Sequence, residues 1–343
     1  MSRENKYIKT ASELEKYIAL MEENTFLPSE QHLADKFGVS KPTLRRALQE
    51  MVDLGRLRKV NGVGVMVIKA AKTISRELIF ICHDINFFAQ TINYFGERAL
   101  EMNYFISIVP LAGDAQTQER IILSVAERRP AGLVIYADPE HNDLAAFHQL
   151  AAKQVQTLYL MRLPRGIDSN LLEFGNGDGV TEIVEMFYQE GCRKIALYGG
   201  TNIHRAGAIE RETGFMAGMK KCRLKIRPEF YCGYNSTKAH CESFLRLFED
   251  VASRPDAVCC LNDYCAGQLI KELSLRKINI DGIRFSGFDH TPLSDFIPHE
   301  LFTVDPPMRE LGEQAAEILI RQVENPHFGF QRKKLKAHII KTK

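Results

Sequence analysis

The sequence predicts an α/β protein in which a small winged helix-turn-helix domain precedes two doubly wound lobes with parallel sheets. Three observations favour this fold: two short amphipathic helices joined by a glycine-containing turn, an Asn-Gly hairpin signal directly after them, and a long remainder in which apolar runs alternate with amphipathic helices. We expect domain boundaries at 1–68, which we call the head, and at 77–343, which we call the body, with a polar linker at 69–76.

Composition limits the class of protein before any motif is considered. The chain has 343 residues, of which 45% are hydrophobic and 26% charged, as is typical of a soluble globular protein with two or three domains. It has no run of about 18 apolar residues and no apolar stretch near its start, so we expect a cytoplasmic location without a membrane span or signal peptide. The 8 cysteines include no C-x-x-C pair, so we expect free thiols and no metal or other cofactor.

Charge is distributed unevenly along the chain. Residues 1–76 contain 14 Lys and Arg against 9 Asp and Glu, a net charge of +5, although the whole chain carries only +2. A basic segment attached to a mildly acidic remainder is typical of a domain that binds a polyanion.

The head is expected to contain three helices and a hairpin. The first helix covers about 12–22, the second begins after Ser29 and ends at Gly38, and the third begins after Ser40 and ends at Gly55. The third would lie in the major groove of DNA, and the basic hairpin would reach phosphates or the minor groove. The alternative is a small helical domain with a solvated basic face. We expect contacts with double-stranded operator DNA from nine residues: Ser29, Lys41, Thr43, Arg45, Arg46, Arg56, Arg58, Lys59 and Gly62.

Three stretches of the head form recognisable motifs: LPSEQHLADKFGVSKPTLRRAL at 27–48, GRL at 55–57 and NGVGVMV at 61–67. With these motifs the head resembles the GntR family of bacterial winged-helix regulators. It departs from the family at Lys41, where Arg is usual, and at Val65, where the wing usually has Thr. Lys41 can meet a phosphate but cannot make the planar two-pronged contact of Arg.

The body alternates short apolar strands with amphipathic helices, as expected of β-α-β units and a parallel sheet. Its first half has strands at 78–82, 104–109, 132–136 and 156–161, and helices at 87–102, 116–128 and 142–152. The pattern then repeats, with strands at 194–198, 229–232, 257–261 and 283–287, and helices at 178–190, 205–221, 237–252 and 264–276. Ligands of such sheets bind at the carboxyl ends of the strands, so the cleft between the two lobes is the expected site.

Seven further motifs follow one another in the body: HDINFF (83–88), ERRPAGLVIY (127–136), QEGCRKIALYGG (189–200), ERETGFMAGM (210–219), RPDAVCCLNDYCAGQLIKEL (254–273), RFSGFDH (284–290) and LFTVDPPMRELGEQAAEILI (301–320). Their order and spacing resemble the LacI-type effector domain, which is similar to type I periplasmic sugar-binding proteins. A GntR head joined to such a body resembles the arabinose-repressor subgroup. The resemblance implies a homodimeric transcriptional repressor controlled by a small carbohydrate-like effector.

The resemblance also implies effector-binding positions at the strand ends. It departs from the family at Met161, where Asp is usual, and at Gly175-Asn176, where Asp-Asn is usual. Arg, Asn and Asp side chains supply the paired donors and acceptors that sugars need, and aromatic rings cover the C–H faces of a sugar. The implied residues are His83, Asp84, Phe87, Phe88, Tyr136, Arg162, Arg211, Asn262, Asp263 and Asp289.

Other roles stay open for several of these residues. Asp263 could cap a helix, Phe87 or Phe88 could belong to the core, Arg211 could form a surface ion pair, and Asp289 could order its own loop.

Motifs of enzymes are absent from the sequence, which contains no G-x-S-x-G, H-E-x-x-H or G-x-x-x-x-G-K-[ST]. Gly199-Gly200 follows a strand but lacks the third glycine of a dinucleotide-binding loop. We therefore expect no enzymatic activity. The alternative to a DNA-binding regulator is a cytoplasmic sugar-binding protein without a regulatory DNA role. The sequence leaves open which sugar binds, and whether it releases or strengthens DNA binding.

Overall fold

The computed structural model describes residues 3–22, 24–53, 56–68, 76–137, 141, 143–200 and 205–342. The chain forms two compact units, Met1–Ser75 and Arg76–Lys343. Gly55, which was expected to end the third helix, and residues 69–75 of the expected linker lie outside the described residues.

The head contains α1 (Arg3–Ala19), α2 (Glu30–Phe37) and α3 (Lys41–Asp53), followed by an antiparallel hairpin of β1 (Leu57–Val60) and β2 (Gly64–Val67). The expected caps of α2 are present, since the Ser29 hydroxyl accepts a hydrogen bond from the backbone N–H of His32 at 3.3 Å, and Gly38 adopts the left-handed conformation with φ 63°. α1 begins well before the expected residue 12, because the charged residues preceding it include good helix formers.

Lobe 1 of the body is an all-parallel sheet covered by helices on both faces. Its strands lie in the order β13 (Arg332–Leu335), β7 (Asn170–Phe174), β6 (Thr157–Leu160), β5 (Gly132–Tyr136), β3 (Glu77–Cys82) and β4 (Phe105–Pro110). One face packs against α4 (Ala89–Glu101) and α11 (Met308–Glu324), and the other against α5 (Ala115–Glu127) and α6 (Ala145–Ala152). Burial on both faces explains why the central strands are continuous apolar runs.

Lobe 2 has a second six-stranded sheet. Its strands lie in the order β14 (His338–Lys341), β12 (Leu301–Asp305), β11 (Arg284–Phe288), β10 (Ala257–Cys260), β8 (Ile195–Tyr198) and β9 (Tyr231–Cys232), and only the pairing of β14 with β12 is antiparallel. α7 (Asn176–Gln189) and α8 (Arg205–Lys221) cover one face, and α9 (Lys238–Arg246) and α10 (Asp263–Leu275) cover the other. The predicted α/β class with doubly wound parallel sheets is confirmed.

The chain passes between the lobes three times, from β7 to α7, from β12 to α11 and from β13 to β14. Four of these crossover elements, β7, β12, β13 and β14, were not predicted as strands. Because β7 intervenes, the strand expected at 156–161 is not the last strand before the first crossover. The three connections leave the carboxyl ends of the parallel strands of both sheets facing one cleft.

Within the described part of the chain, no helix combines the length and apolar character needed to cross a membrane.

Candidate functional site

The head presents a basic surface formed by α3 and the hairpin. Of the nine residues expected to contact DNA, eight are exposed and Thr43 is half-buried. The wing strand lies against the exposed side of α3, because Lys59 Nζ donates to Gln49 Oε1 at 2.5 Å. Arg45 Nε donates to Glu30 Oε2 of α2 at 2.8 Å, although both side chains stay largely solvated. Gly62, at the hairpin tip, has φ 75° and open space where a side chain would be.

Helix N-caps, in addition to the charged contacts above, hold the basic surface of the head in place. The Ser40 hydroxyl lies 2.9 Å from the hydroxyl of Thr43 and accepts from the Thr43 backbone N–H at 3.4 Å, so it caps α3. Ser29 is likewise engaged as the cap of α2, with its hydroxyl at the end of a helix that carries Glu30 in its first turn. These contacts hold the start of α3 in one orientation, which a helix that reads a groove requires.

The cleft of the body contains a cavity of about 190 Å³ between the strand ends of the two lobes. Eight of the ten residues expected to bind the effector line it: His83, Asp84, Phe87, Tyr136, Arg162, Arg211, Asn262 and Asp289. The remaining lining residues are Met161, Phe174, Asn176, Gly207 and Ala208.

Arg211 lies at the centre of the polar wall and is almost fully buried. Its Nη2 donates to Asp289 Oδ1 at 2.7 Å, and its Nη1 donates to the Leu261 carbonyl at 2.8 Å. Asn176 Oδ1 accepts from Nε and Nη2 at 3.4 and 3.3 Å, and the guanidinium carbon lies 3.7 Å from the centroid of the Phe288 ring. The surface ion pair considered for Arg211 is therefore wrong, because the pair it forms is an internal one.

A second polar contact crosses the cleft. Arg162, which follows β6 in lobe 1, donates from Nη2 to Glu210 Oε1 on α8 of lobe 2 at 3.3 Å. The other oxygen of Glu210 accepts from Asn176 Nδ2 at 2.8 Å. Asn176 thus connects Glu210 to Arg211, and the two arginines belong to one hydrogen-bonded series.

Aromatic side chains form the opposite wall in lobe 1. The ring of His83 stacks on that of Tyr136 with 4.8 Å between centroids, and Phe87 meets Phe88 edge to face at 4.9 Å. Burial raises the pKa of the Tyr136 hydroxyl, so this group is a neutral donor and acceptor at ordinary pH. Rings beside charged groups suit the apolar and polar faces of a sugar.

Two residues expected to bind the effector do not line the cavity. Phe88 is 0% exposed because it packs in the core against Phe80 and Tyr136, as one of its alternatives allowed. Asp263 is also 0% exposed, and its carboxylate accepts from Thr303 Oγ1 at 2.6 Å and from the backbone N–H of Thr291 at 3.0 Å. Its carboxylate therefore braces the loop that carries Asp289 from behind the cavity.

The capping role considered for Asp263 belongs to its neighbour. Asn262 is the N-cap of α10, and its Oδ1 accepts from the Cys265 backbone N–H at 2.9 Å. Burial raises the pKa of the Asp263 carboxyl to about 6, although its two hydrogen bonds oppose this shift.

Sequence reasoning missed some of the wall. Phe174 ends β7, which was not predicted, and Gly207 and Ala208 lie on α8 one turn before Arg211. The helical spacing of these small residues relative to Arg211 is a signal that could have found them. Two lining residues, Met161 with φ 66° and Asp289 with φ 92°, hold left-handed backbone conformations that non-glycine residues rarely adopt.

Comparisons with known proteins agree with this architecture. Residues 10–67 match the model of bacterial regulatory proteins of the gntR family, and residues 184–341 match the periplasmic binding protein-like domain. The arabinose metabolism transcriptional repressor of Geobacillus stearothermophilus is 23% identical over 93% of this chain and 91% of its own length. The ribose operon repressor of Escherichia coli strain K12 is 24% identical over 73% of this chain and 75% of its own length.

Solved structures show the same fold. A regulatory protein of the LacI family from Chloroflexus aggregans superposes with a TM-score of 0.64 at 20% identity, covering 77% of this chain and 96% of its own. Both resemblances drawn from the sequence motifs are thereby confirmed. The chain thus joins a segment that matches the gntR family of bacterial regulatory proteins to a segment that matches the periplasmic binding protein-like domain.

Proposed function

We propose that the chain is a DNA-binding transcriptional repressor whose operator affinity is set by a neutral, monosaccharide-sized sugar bound in the cleft of the body. The observation that carries the proposal is the combination in one chain of an exposed basic helix-turn-helix surface and a cleft cavity lined by charged, polar and aromatic side chains. The relatives named above are an arabinose metabolism transcriptional repressor and a ribose operon repressor, which supports a regulator over an enzyme.

The cavity favours a neutral sugar through its charges. The side chains that line it include two cations, Arg162 and Arg211, and two carboxylates, Asp84 and Asp289. A phosphate ester would add a charge of about −1.5 to −2 to this balanced set. A neutral polyol adds none, and its hydroxyls can donate to the carboxylates while accepting from the guanidinium groups.

Cavity size favours one sugar ring. A volume of about 190 Å³ lies below the range of about 300–1,000 Å³ that is usual for the pockets of drug-sized ligands, which favours a pentose or hexose over a disaccharide. The aromatic wall of His83, Tyr136 and Phe87 would cover the apolar face of the ring.

Two heads are required for a two-fold operator, so we propose that the protein works as a homodimer in the cytoplasm. Apolar side chains exposed in the body support an association surface, with Phe105 on the edge strand β4 68% exposed and Phe296 81% exposed. Light scattering at micromolar concentration is expected to give twice the mass of the chain, and a monomer would contradict this part of the proposal.

A thermal-shift screen tests the choice of ligand. Pentoses, hexoses and their phosphate esters are compared at equal concentration, and a sugar at 100 times its dissociation constant is expected to add about 2.7 kcal/mol to the free energy of unfolding. Stabilisation by phosphate esters alone would contradict the neutral-sugar assignment. Stabilisation by a sugar without salt-dependent DNA binding would favour the second candidate, a sugar-binding protein without a DNA role.

A further inference from the structure

We propose that Glu210 is a positioning residue of the effector site, which sets Arg162 of lobe 1 across the cleft and couples effector binding to closure of the two lobes. This inference rests on the proposed function only for the identity of the ligand. Glu210 does not line the cavity, so it acts through the residues whose positions it fixes.

One terminal nitrogen of the Arg162 guanidinium contacts Glu210, whereas the other makes no hydrogen bond to a described residue. The Arg162 side chain is 18% exposed, and its Nη2 reaches Glu210 Oε1 at 3.3 Å. Its Nη1 is buried and makes no hydrogen bond to any residue that the structure describes. A buried donor without a partner is unfavourable, so this nitrogen is suited to an acceptor oxygen on a ligand in the cavity. A hydroxyl or ring oxygen of a sugar supplies such an acceptor.

Glu210 also fixes the position of Arg211, through Asn176. Its Oε2 accepts from Asn176 Nδ2 at 2.8 Å, and Asn176 Oδ1 accepts from Nε and Nη2 of Arg211. Asn176 is the first residue of α7, directly after the crossover from β7. The carboxylate of Glu210 therefore contacts Arg162 of lobe 1 directly and reaches Arg211 of lobe 2 through Asn176, which lies at the crossover.

The placement of these groups makes the contact dependent on closure. Arg162 moves with lobe 1, whereas Glu210 and Arg211 are consecutive residues of α8 in lobe 2. Separating the lobes breaks the Arg162–Glu210 contact and moves Arg162 away from the lobe 2 residues that line the cavity. A ligand that accepts from Nη1 of Arg162 binds the closed state better than the open state, which is the condition for it to shift the population.

The experiment uses the fact that the chain contains no tryptophan. In the full-length protein, Phe87→Trp places the sole tryptophan on the cavity wall, where acrylamide quenching reports how open the cleft is without any ligand. Glu210→Gln, which preserves side-chain volume, is expected to raise the quenching constant because an ion pair of this exposure shifts the closed-to-open ratio by about two- to fivefold. Arg162→Gln is expected to have the same effect.

The control is Glu185→Gln, which removes an ion pair with Lys221 between α7 and α8 within lobe 2, away from the cavity. It is expected to leave quenching unchanged. Equal quenching in the Glu210→Gln protein and its parent would overturn the proposal, as would an equal rise in the control. Thermal melts of each variant check that the fold is intact.

A second experiment, which measures sugar binding, tests whether Glu210 couples effector binding to closure of the lobes. The probe is the one among L-arabinose, D-ribose, D-xylose, D-glucose and D-galactose that shifts the melting of the wild type most. Glu210→Gln is expected to weaken its binding about two- to fivefold, and to have a smaller effect in the Arg162→Ala background, where only the contact through Asn176 to Arg211 remains. A purely structural role for Glu210 would give the same loss of affinity in both backgrounds and would overturn the proposal. If none of these sugars binds the wild type, the proposed function fails, whereas the quenching result still decides the role of Glu210.

Discussion

Replacing Asp289 by Asn tests the charge balance of the cavity. Asp289 Oδ1 lies 2.7 Å from Arg211 Nη2 in a pair whose side chains are 12% and 9% exposed. Its φ is 92°, a conformation that Asn tolerates nearly as well as Asp, and its backbone N–H donates to the Val304 carbonyl in either case. The substitution therefore removes one charge and keeps the shape of the loop.

The expected magnitudes follow from this geometry. The carboxylate–guanidinium bond becomes a bond to a neutral amide, and a charge-assisted hydrogen bond contributes about 1 to 2 kcal/mol more than a neutral one. A sugar hydroxyl that donates to Asp289 loses a similar amount, so affinity for a neutral sugar should fall about five- to thirtyfold. The side chains that line the cavity then carry a net charge of +1 instead of zero. The matching uronic acid should therefore lose less affinity than the neutral sugar, or gain affinity.

Calorimetric titration with a neutral sugar and its uronic acid measures both effects. Asp295→Asn is the control, because Asp295 lies exposed in the same loop region and does not line the cavity. An Asp289→Asn protein that melts normally and binds the neutral sugar as tightly as the wild type would show that the site has been placed wrongly.

Three further perturbations probe other parts of the molecule. Burial raises the pKa of Asp263 from 3.8 to about 6, so the unfolded chain releases this proton at lower pH and stability should fall by up to about 3 kcal/mol as the pH rises through that interval. Asp263→Asn should flatten that part of the curve of unfolding free energy against pH. Arg45→Ala or Arg58→Ala should lower the slope of log affinity for DNA against log salt by about 1 per head, with little change in stability. Gly214→Ala should destabilise the body by about 1–3 kcal/mol or more, because its Cβ would lie next to the Gly177 carbonyl oxygen.

Each of these predictions has a contradicting outcome. Parallel pH curves for wild type and Asp263→Asn would mean that the pKa of this carboxyl is the same in the folded and unfolded states. An unchanged salt slope in both arginine variants would place the DNA-binding surface elsewhere. For the glycine, Gly329→Ala is the control, since no atom lies within 4 Å of its Cβ position, and equal stability of the two variants would contradict the close approach of α7 and α8.

The parts of the fold that sequence could predict are those encoded locally. Ser29 and Gly38 bound α2 through capping chemistry that involves only neighbouring residues. The hairpin follows from Asn61-Gly62, whose left-handed preference matches the turn. Central strands of the body are buried on both faces, so their apolar runs are visible in the sequence.

The missed strands depend on distant partners. β13 reads Arg-Lys-Lys-Leu and is a mostly exposed edge strand, so it has no apolar run and is fixed only by pairing with β7. β14 lies beside β12 at the edge of the other sheet, where one side of its backbone is unpaired. Arg332 of β13 pairs with Leu171 of β7, 161 residues earlier in the chain, so no local pattern marks this pairing.

The candidate site, too, could be predicted from the sequence only in part, because some roles depend on residues distant in the chain. Asn262 and Asp263 are adjacent acceptors at the start of α10, and only tertiary structure decides that the first lines the cavity while the second faces inward to Thr303 and Thr291. Eight positions implied by family motifs nevertheless reach one cavity, because each lies at or just after a strand end or on α8 facing the cleft. The role of Glu210 has no sequence signal, since it depends on contact with the other lobe.

The central claim is that sugar bound in the body controls DNA binding by the head. The most direct test selects a duplex from a random pool with the full-length protein, then measures its affinity by fluorescence anisotropy at fixed salt with and without the sugar that stabilises the protein most. We expect sequence-specific binding whose dissociation constant changes at least fivefold with sugar, and a change that disappears in the Asp289→Asn protein at the same sugar concentration. Sugar binding that leaves the DNA dissociation constant unchanged would contradict the account.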